Sequence, residues 1–176
     1  MSRLVVSEFM TLDGVIENPL WSLEYWNDDI AAFKHEELFS ADALLLGRVT
    51  YDGFVASWPA RSGDDFTDRM NSIPKHIASR TLETPEWNST VLGADVVAGI
   101  RELKQQPGGD LVVYGSKTLV RTLIENDLVD RYNMLVYPII LGEGLKMFDE
   151  TTKAKLKLVE AKAYDTGAVL MVYEPA

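Results

Sequence analysis

Two segments of this chain set a glycine and a cation where a buried aliphatic run meets the start of a helix-forming stretch. In Leu44-Leu45-Leu46-Gly47-Arg48-Val49-Thr50-Tyr51 the glycine allows close approach to the backbone. The free N–H groups of a helix start face an anion, and Arg48 adds a forked donor. The set suits a pyrophosphate, and a tight strand-to-helix turn with a surface arginine fits the same residues equally well. Val112-Val113-Tyr114-Gly115-Ser116-Lys117-Thr118-Leu119 repeats the arrangement, and two such turns in one acidic chain favour a dinucleotide. Neither G-x-x-x-x-G-K-[ST] nor G-x-G-x-x-G occurs, which removes a P-loop NTPase and the ordinary Rossmann fingerprint. A third segment, Ile77-Ala78-Ser79-Arg80-Thr81, brings two hydroxyls and an arginine out of a strand. A 2′-phosphate on adenosine would gain charge-assisted hydrogen bonds there, so NADP is preferred over NAD; an ordinary polar strand end is the alternative.

Candidate acids and stacking surfaces lie nearer the N-terminus. Thr11-Leu12-Asp13-Gly14 leaves the first strand as a turn in which Asp13 could sit beside a substrate. Asp29 opens the helix Asp29-Ile30-Ala31-Ala32-Phe33-Lys34, where a carboxylate also serves as N-cap or as a charge at the positive helix end. Trp21, Tyr25 and Trp26 between them are either the stacking wall of a heterocycle site or packing. Glu143, in Gly142-Glu143-Gly144, is a candidate wall of the same cleft. His35 and His76 fit no metal spacing and are read as non-catalytic, so no metal is expected. The chain has no cysteine, which removes thiolate chemistry and disulfides, and no G-x-S-x-G supports acyl transfer.

These segments need a scaffold that brings strand ends together. Apolar or β-branched runs at Leu4 to Phe9, Ala43 to Leu46, Lys75 to Ser79, Ser89 to Leu92, Leu111 to Tyr114, Tyr132 to Ile140, Lys155 to Tyr164 and Ala168 to Tyr173 predict eight strands. Helical periodicity follows Asp95, with Val96, Val97, Ile100 and Leu103 on one face, and follows Ser116, with Leu119, Val120, Leu123 and Ile124 inward. Strands alternating with helices imply parallel pairing, whereas the last two strands, parted by Asp165-Thr166-Gly167, imply an antiparallel hairpin. With 176 residues, 47% of them hydrophobic, one domain over 1–176 is expected. The net charge of −10 argues against a nucleic-acid partner. No apolar run reaches the ~20 residues of a membrane span, and no secretory h-region follows Met1, so a cytoplasmic protein without a membrane partner is expected.

The order and spacing of Ser7 to Gly14, Leu46-Gly47-Arg48-Val49-Thr50-Tyr51, Ser79-Arg80-Thr81, Val113-Tyr114-Gly115-Ser116 and Pro138-Ile139-Ile140-Leu141-Gly142-Glu143-Gly144 resemble the dihydrofolate-reductase-like superfamily. Within it they resemble the C-terminal reductase domain of the riboflavin-biosynthesis deaminase-reductase. The resemblance implies an α/β fold with a mixed, mostly parallel eight-stranded sheet, binding NADPH in an extended pose. It places Gly47, Arg48 and Thr50 by the pyrophosphate, Ser79 and Arg80 by the 2′-phosphate, and Gly115, Ser116, Lys117 and Leu119 at the second phosphate-binding helix. Leu12 and Gly14 fall near the nicotinamide, and Asp29 gains weight as a heterocycle-binding acid with Asp13 at the nicotinamide end. The implied activity is hydride transfer to a small pyrimidine-ribityl or pterin-like heterocycle by a homodimer without a fused deaminase. A non-catalytic NADPH- or ligand-binding protein of the same fold is the rival.

Overall fold

The computed structural model describes residues 1–176. The eight expected strands all form: β1 (Leu4–Thr11), β2 (Ala41–Gly47), β3 (Lys75–Ala78), β4 (Ser89–Val91), β5 (Asp110–Tyr114), β6 (Arg131–Tyr137), β7 (Leu156–Ala163) and β8 (Val169–Pro175). They make one sheet in the order β4-β3-β2-β5-β1-β6-β8-β7. The first six strands in that order pair in parallel. β8 runs antiparallel to both β6 and β7. The hairpin closes where the Gly167 N–H donates to the Tyr164 carbonyl at 2.9 Å, with Gly167 at φ 96°, a conformation glycine adopts freely. β6 stops at Tyr137 rather than running to Ile140, because Pro138 has no N–H for the ladder.

Five helices cover the sheet: α1 (Asp28–Ser40), α2 (Arg48–Ser57), α3 (Asp65–Ser72), α4 (Val96–Gln105) and α5 (Lys117–Glu125). A 3-10 helix, Pro19–Tyr25, precedes α1. Side-chain alternation along the central strands divides the core between two faces. Leu4, Val6, Leu45 and Val113 pack with Ile100 of α4 and with Leu119, Val120 and Leu123 of α5. Val5, Leu44, Leu46 and Val112 pack with Leu38 of α1, Tyr51 of α2 and Met70 of α3. Each face is a continuous apolar layer, the arrangement that parallel strands require on both sides.

A cleft at the carboxyl ends of the strands

β2 and β5 are neighbours in the sheet. The helix after β2 nevertheless packs on one face and the helix after β5 on the other. A crevice opens at such a switch point, outside the carboxyl ends of the strands. Gly47 ends β2 and Gly115 directly follows β5, and their turns are tied together. The Gly47 N–H donates to Ser116 Oγ at 2.7 Å, and Ser116 Oγ–H donates to Thr50 Oγ1 at 3.0 Å. The glycines are needed for that contact: a Cβ on Gly47 would overlap the Ser116 side chain, and one on Gly115 would stand 2.6 Å from Thr50 Oγ1. Gly115 and Ser116 are both left-handed, at φ 65° and 69°.

The helix starts at this crevice differ from the rest. Asn27, Asp64 and Asp95 cap α1, α3 and α4 through side-chain oxygens that accept from Ile30, Thr67 and Ala98 N–H. Gly47 and Ser116, at the starts of α2 and α5, give no side-chain cap. The first-turn N–H groups of both helices are therefore free to hold anions.

A continuous cleft of about 2370 Å³ extends from this crevice between α1, α2 and α3. A single small-molecule site typically occupies roughly 300–1,000 Å³, so there is room for two molecules side by side. Of the expected residues, Gly47, Arg48, Thr50, Ser79, Arg80, Gly115, Ser116, Lys117, Leu119 and Trp26 line it. Arg48 is held by Asp52 through Nε at 2.9 and 3.0 Å, while its Nη1 donates to Thr81 Oγ1 at 3.2 Å, joining the first and third segments. Ser79 Oγ accepts from the Thr81 and Leu82 N–H groups at 3.2 and 3.1 Å. Lys117 pairs with Asp149 at 3.1 Å. Arg80 is exposed at the rim and makes no ion pair.

Other expected residues lie elsewhere. Asp13 does not face the cleft: its carboxylate accepts from Thr11 Oγ1 at 2.6 Å and from the Leu141 and Gly142 N–H groups at 3.2 and 2.8 Å. Those bonds, Thr11 first, hold its pKa down at about 2. It is a clasp between two loops, and Leu12 and Gly14 belong to the same clasp, since Leu12 N–H donates to the Ile139 carbonyl and Gly14 accepts from Met147 N–H. Asp29 sits exposed in the first turn of α1, outside the cleft, and Asn27 is the cap. Trp21 and Tyr25 stand edge-on to Tyr137, with centroids 5.4 and 6.0 Å away, as packing on the 3-10 helix. Glu143 is exposed and outside the cleft.

The cleft instead ends on a polar cluster absent from the sequence-based expectations. Ser7, Glu8 and Phe9 of β1, Lys34 of α1 and Tyr114 of β5 line it. Lys34 Nζ pairs with Glu37 and donates to Ser7 Oγ at 2.9 Å. Glu37 also accepts from Ser7 Oγ at 3.0 Å, Tyr114 OH at 3.2 Å and Asn133 Nδ2 at 2.8 Å. Lys34 Nζ stands 4.3 Å from the Tyr114 ring centroid. Burial, and then the nearby Glu37 carboxylate, push the Tyr114 phenol well above its ordinary pKa. Glu8 differs from its neighbours. It is 7% exposed, and its Oε1 has no hydrogen-bond partner. Burial raises its pKa to about 8, against the opposing pull of Lys34 and the Gly115 N–H. One signal was available in the sequence: Ile30, Lys34, Glu37 and Leu38 form the buried stripe of α1, so a charged pair occupies apolar positions.

Residues 3–170 match the family profile described as RibD C-terminal domain. The Bacillus subtilis (strain 168) protein YyaP is 27% identical, over 97% of this chain and 94% of its own. A crystal structure of a putative riboflavin biosynthesis protein from Shewanella sp. PV-4 superposes with a TM-score of 0.74 at 20% identity, covering 99% of both chains. The Thermotoga maritima diaminohydroxyphosphoribosylaminopyrimidine deaminase/5-amino-6-(5-phosphoribosylamino)uracil reductase superposes with a TM-score of 0.69 at 18% identity. There the match covers 99% of this chain and 57% of that one.

Proposed function

The chain belongs to the RibD C-terminal domain family, and from that premise we propose that it is an NADPH-dependent reductase of a small heterocycle of the pyrimidine-ribityl or pterin kind. The observation that carries the proposal is the pair of uncapped helix starts, α2 and α5, brought side by side at the switch point of a cleft large enough for two molecules. The first-turn N–H groups of both helices fit the pyrophosphate. Arg80, free of internal carboxylates, fits the adenosine 2′-phosphate with Ser79 beside it. The bound cofactor would supply a hydride. The protein's part is to hold the donor and acceptor carbons about 3–3.5 Å apart and to keep water out of that gap. Phe9, Trp26, Phe54 and Trp58 offer aromatic surface to a planar acceptor.

The exposed edge strand β7, with Leu156, Leu158 and Val159 open to solvent, is the surface at which a second copy would pair to form a homodimer.

The direct test is calorimetric titration of NADPH and NADH into the protein and its Arg80→Ala variant. Loss of one charge-assisted bond, about 1.5–3 kcal/mol, should weaken NADPH roughly 10- to 150-fold and leave NADH nearly unchanged. NADPH oxidation is then followed with 5-amino-6-(5-phosphoribosylamino)uracil and with dihydrofolate as probe acceptors. If neither dinucleotide binds, the proposal fails.

A further inference from the structure

We propose that Glu8 is the proton donor to the hydride acceptor, a role that deepens the reductase proposal and rests on it. A carboxyl is the costliest group to bury without partners. Ser7, Lys34, Glu37, Tyr114 and Asn133 satisfy one another, whereas Glu8, next in the chain to Ser7, leaves Oε1 unpartnered at the wall of the cleft. Of the buried side-chain oxygens without a partner, that of Glu8 alone belongs to a residue lining the cleft, where a ligand can take up its proton.

Its position fits the chemistry. β5 ends at Tyr114, paired with Ser7, so Glu8 lies one residue beyond the last pair of that ladder, level with Gly115 and the start of α5. It therefore sits where the phosphate crevice meets the aromatic part of the cleft. The charges acting on it are Lys34 and Glu37, both from α1, and they oppose each other, while burial is the largest influence and favours the protonated acid. A general acid works best when its pKa lies near the working pH. Asp13, ionised down to about pH 2 and bonded to two loops, has neither the proton nor the position.

The step balances. As the acceptor carbon forms its new C–H bond with the hydride, the π pair of its C=N or C=O bond moves to the heteroatom. The Glu8 O–H bond breaks and its proton passes to that heteroatom. NADPH is oxidised to NADP⁺, the acceptor is reduced by two electrons, and the Glu8 carboxylate regains its proton from solvent at the cleft mouth.

The test pairs a binding and a spectroscopic readout with a kinetic one, using the wild type, Glu8→Gln and Glu8→Asp. Difference-infrared titration of the protein without ligands should show a carboxylic C=O band that persists above pH 7, disappears near pH 8 and is missing in Glu8→Gln. NADPH affinity should be unchanged in Glu8→Gln. Single-turnover NADPH oxidation with the better probe acceptor should fall by about 10²–10⁴-fold, with partial recovery in Glu8→Asp. The wild-type rate should be level below pH 8 and fall tenfold per unit above it, and the residual Gln rate should lose that dependence. Unchanged turnover in Glu8→Gln with NADPH bound, or no protonated carboxyl at pH 7, overturns the assignment while leaving the reductase proposal standing. Failure of the wild type to bind NADPH removes both.

Discussion

Replacing Glu8 by glutamine should change how folding stability depends on pH, whether or not any ligand is present. The native carboxyl titrates near 8 and an unfolded one near 4.5. Between those values the folded protein holds a proton that the unfolded chain has released. Stability from this group is therefore complete below about pH 4.5, is lost steadily as the pH rises, and is gone above about 8. At about 1.4 kcal/mol per pH unit the full swing is at most roughly 5 kcal/mol, and relaxation around a buried carboxylate reduces it to about 2–4 kcal/mol. Glutamine fills the same volume and has nothing to release. Urea unfolding of both proteins at pH 5, 7 and 9, followed by the fluorescence of the four tryptophans, isolates the effect, because every other titrating group is common to the two chains. The wild type should lose about 2–4 kcal/mol relative to Glu8→Gln between pH 5 and 9. Parallel stability curves would refute both the raised pKa and the burial from which it follows.

Three further outcomes follow from the same geometry. Gly47→Ala forces Ser116 out of its contact with the Gly47 N–H and Thr50. It should cost about 1–3 kcal/mol of stability and weaken NADPH more than tenfold, by denaturation and titration, because the two turns no longer share one geometry. Asp13→Asn should lower the melting temperature at pH 7 and leave NADPH affinity unchanged. Because Asp13 is held at about 2, its contribution is present above its unfolded value near 4 and is lost as the pH falls through 2, so the gap from the wild type should close toward pH 2 in thermal scans. Light scattering during size exclusion should report a dimer, and Leu158→Lys on the edge strand β7 should shift it toward monomer.

What was legible in the sequence was local. Most strands are apolar runs bounded by Gly, Pro, Asp or Asn, and Gly47-Arg48 and Gly115-Ser116 each lie where a strand end meets a helix start, so both turns could be read within a few residues. That Ser116 reaches across 69 positions to Gly47 could not, since only the strand order brings the two turns together. The polar cluster was hidden for the same reason: Ser7, Lys34, Tyr114 and Asn133 meet on Glu37 from four separate elements. Asp13 misled in the opposite direction. An Asp-Gly turn after a strand has the right chemistry for a site, and its distant partners, the Leu141 and Gly142 N–H groups, turned its carboxylate away from one.

The charge distribution reinforces the division between structural and ligand-facing groups. In a chain of net charge −10, an anionic cofactor meets a repulsive average field, so attraction must come from groups whose positive charge is not already spent inside the protein. Arg48 and Lys117, the cations nearest the helix starts by sequence, are partnered by Asp52 and Asp149. Arg80 and Arg61 on the cleft wall have no carboxylate partner, and Arg61 stacks on Trp58 at 4.7 Å. The helix starts, lacking side-chain caps, add partial positive charge that no internal carboxylate cancels. Under the proposed function, the field met by NADPH would come from backbone N–H groups and the unpaired Arg80 and Arg61 rather than from Arg48 and Lys117. NADPH affinity should consequently fall with salt in the wild type and fall less steeply in Arg80→Ala, whereas Lys117→Ala should leave the slope nearly intact.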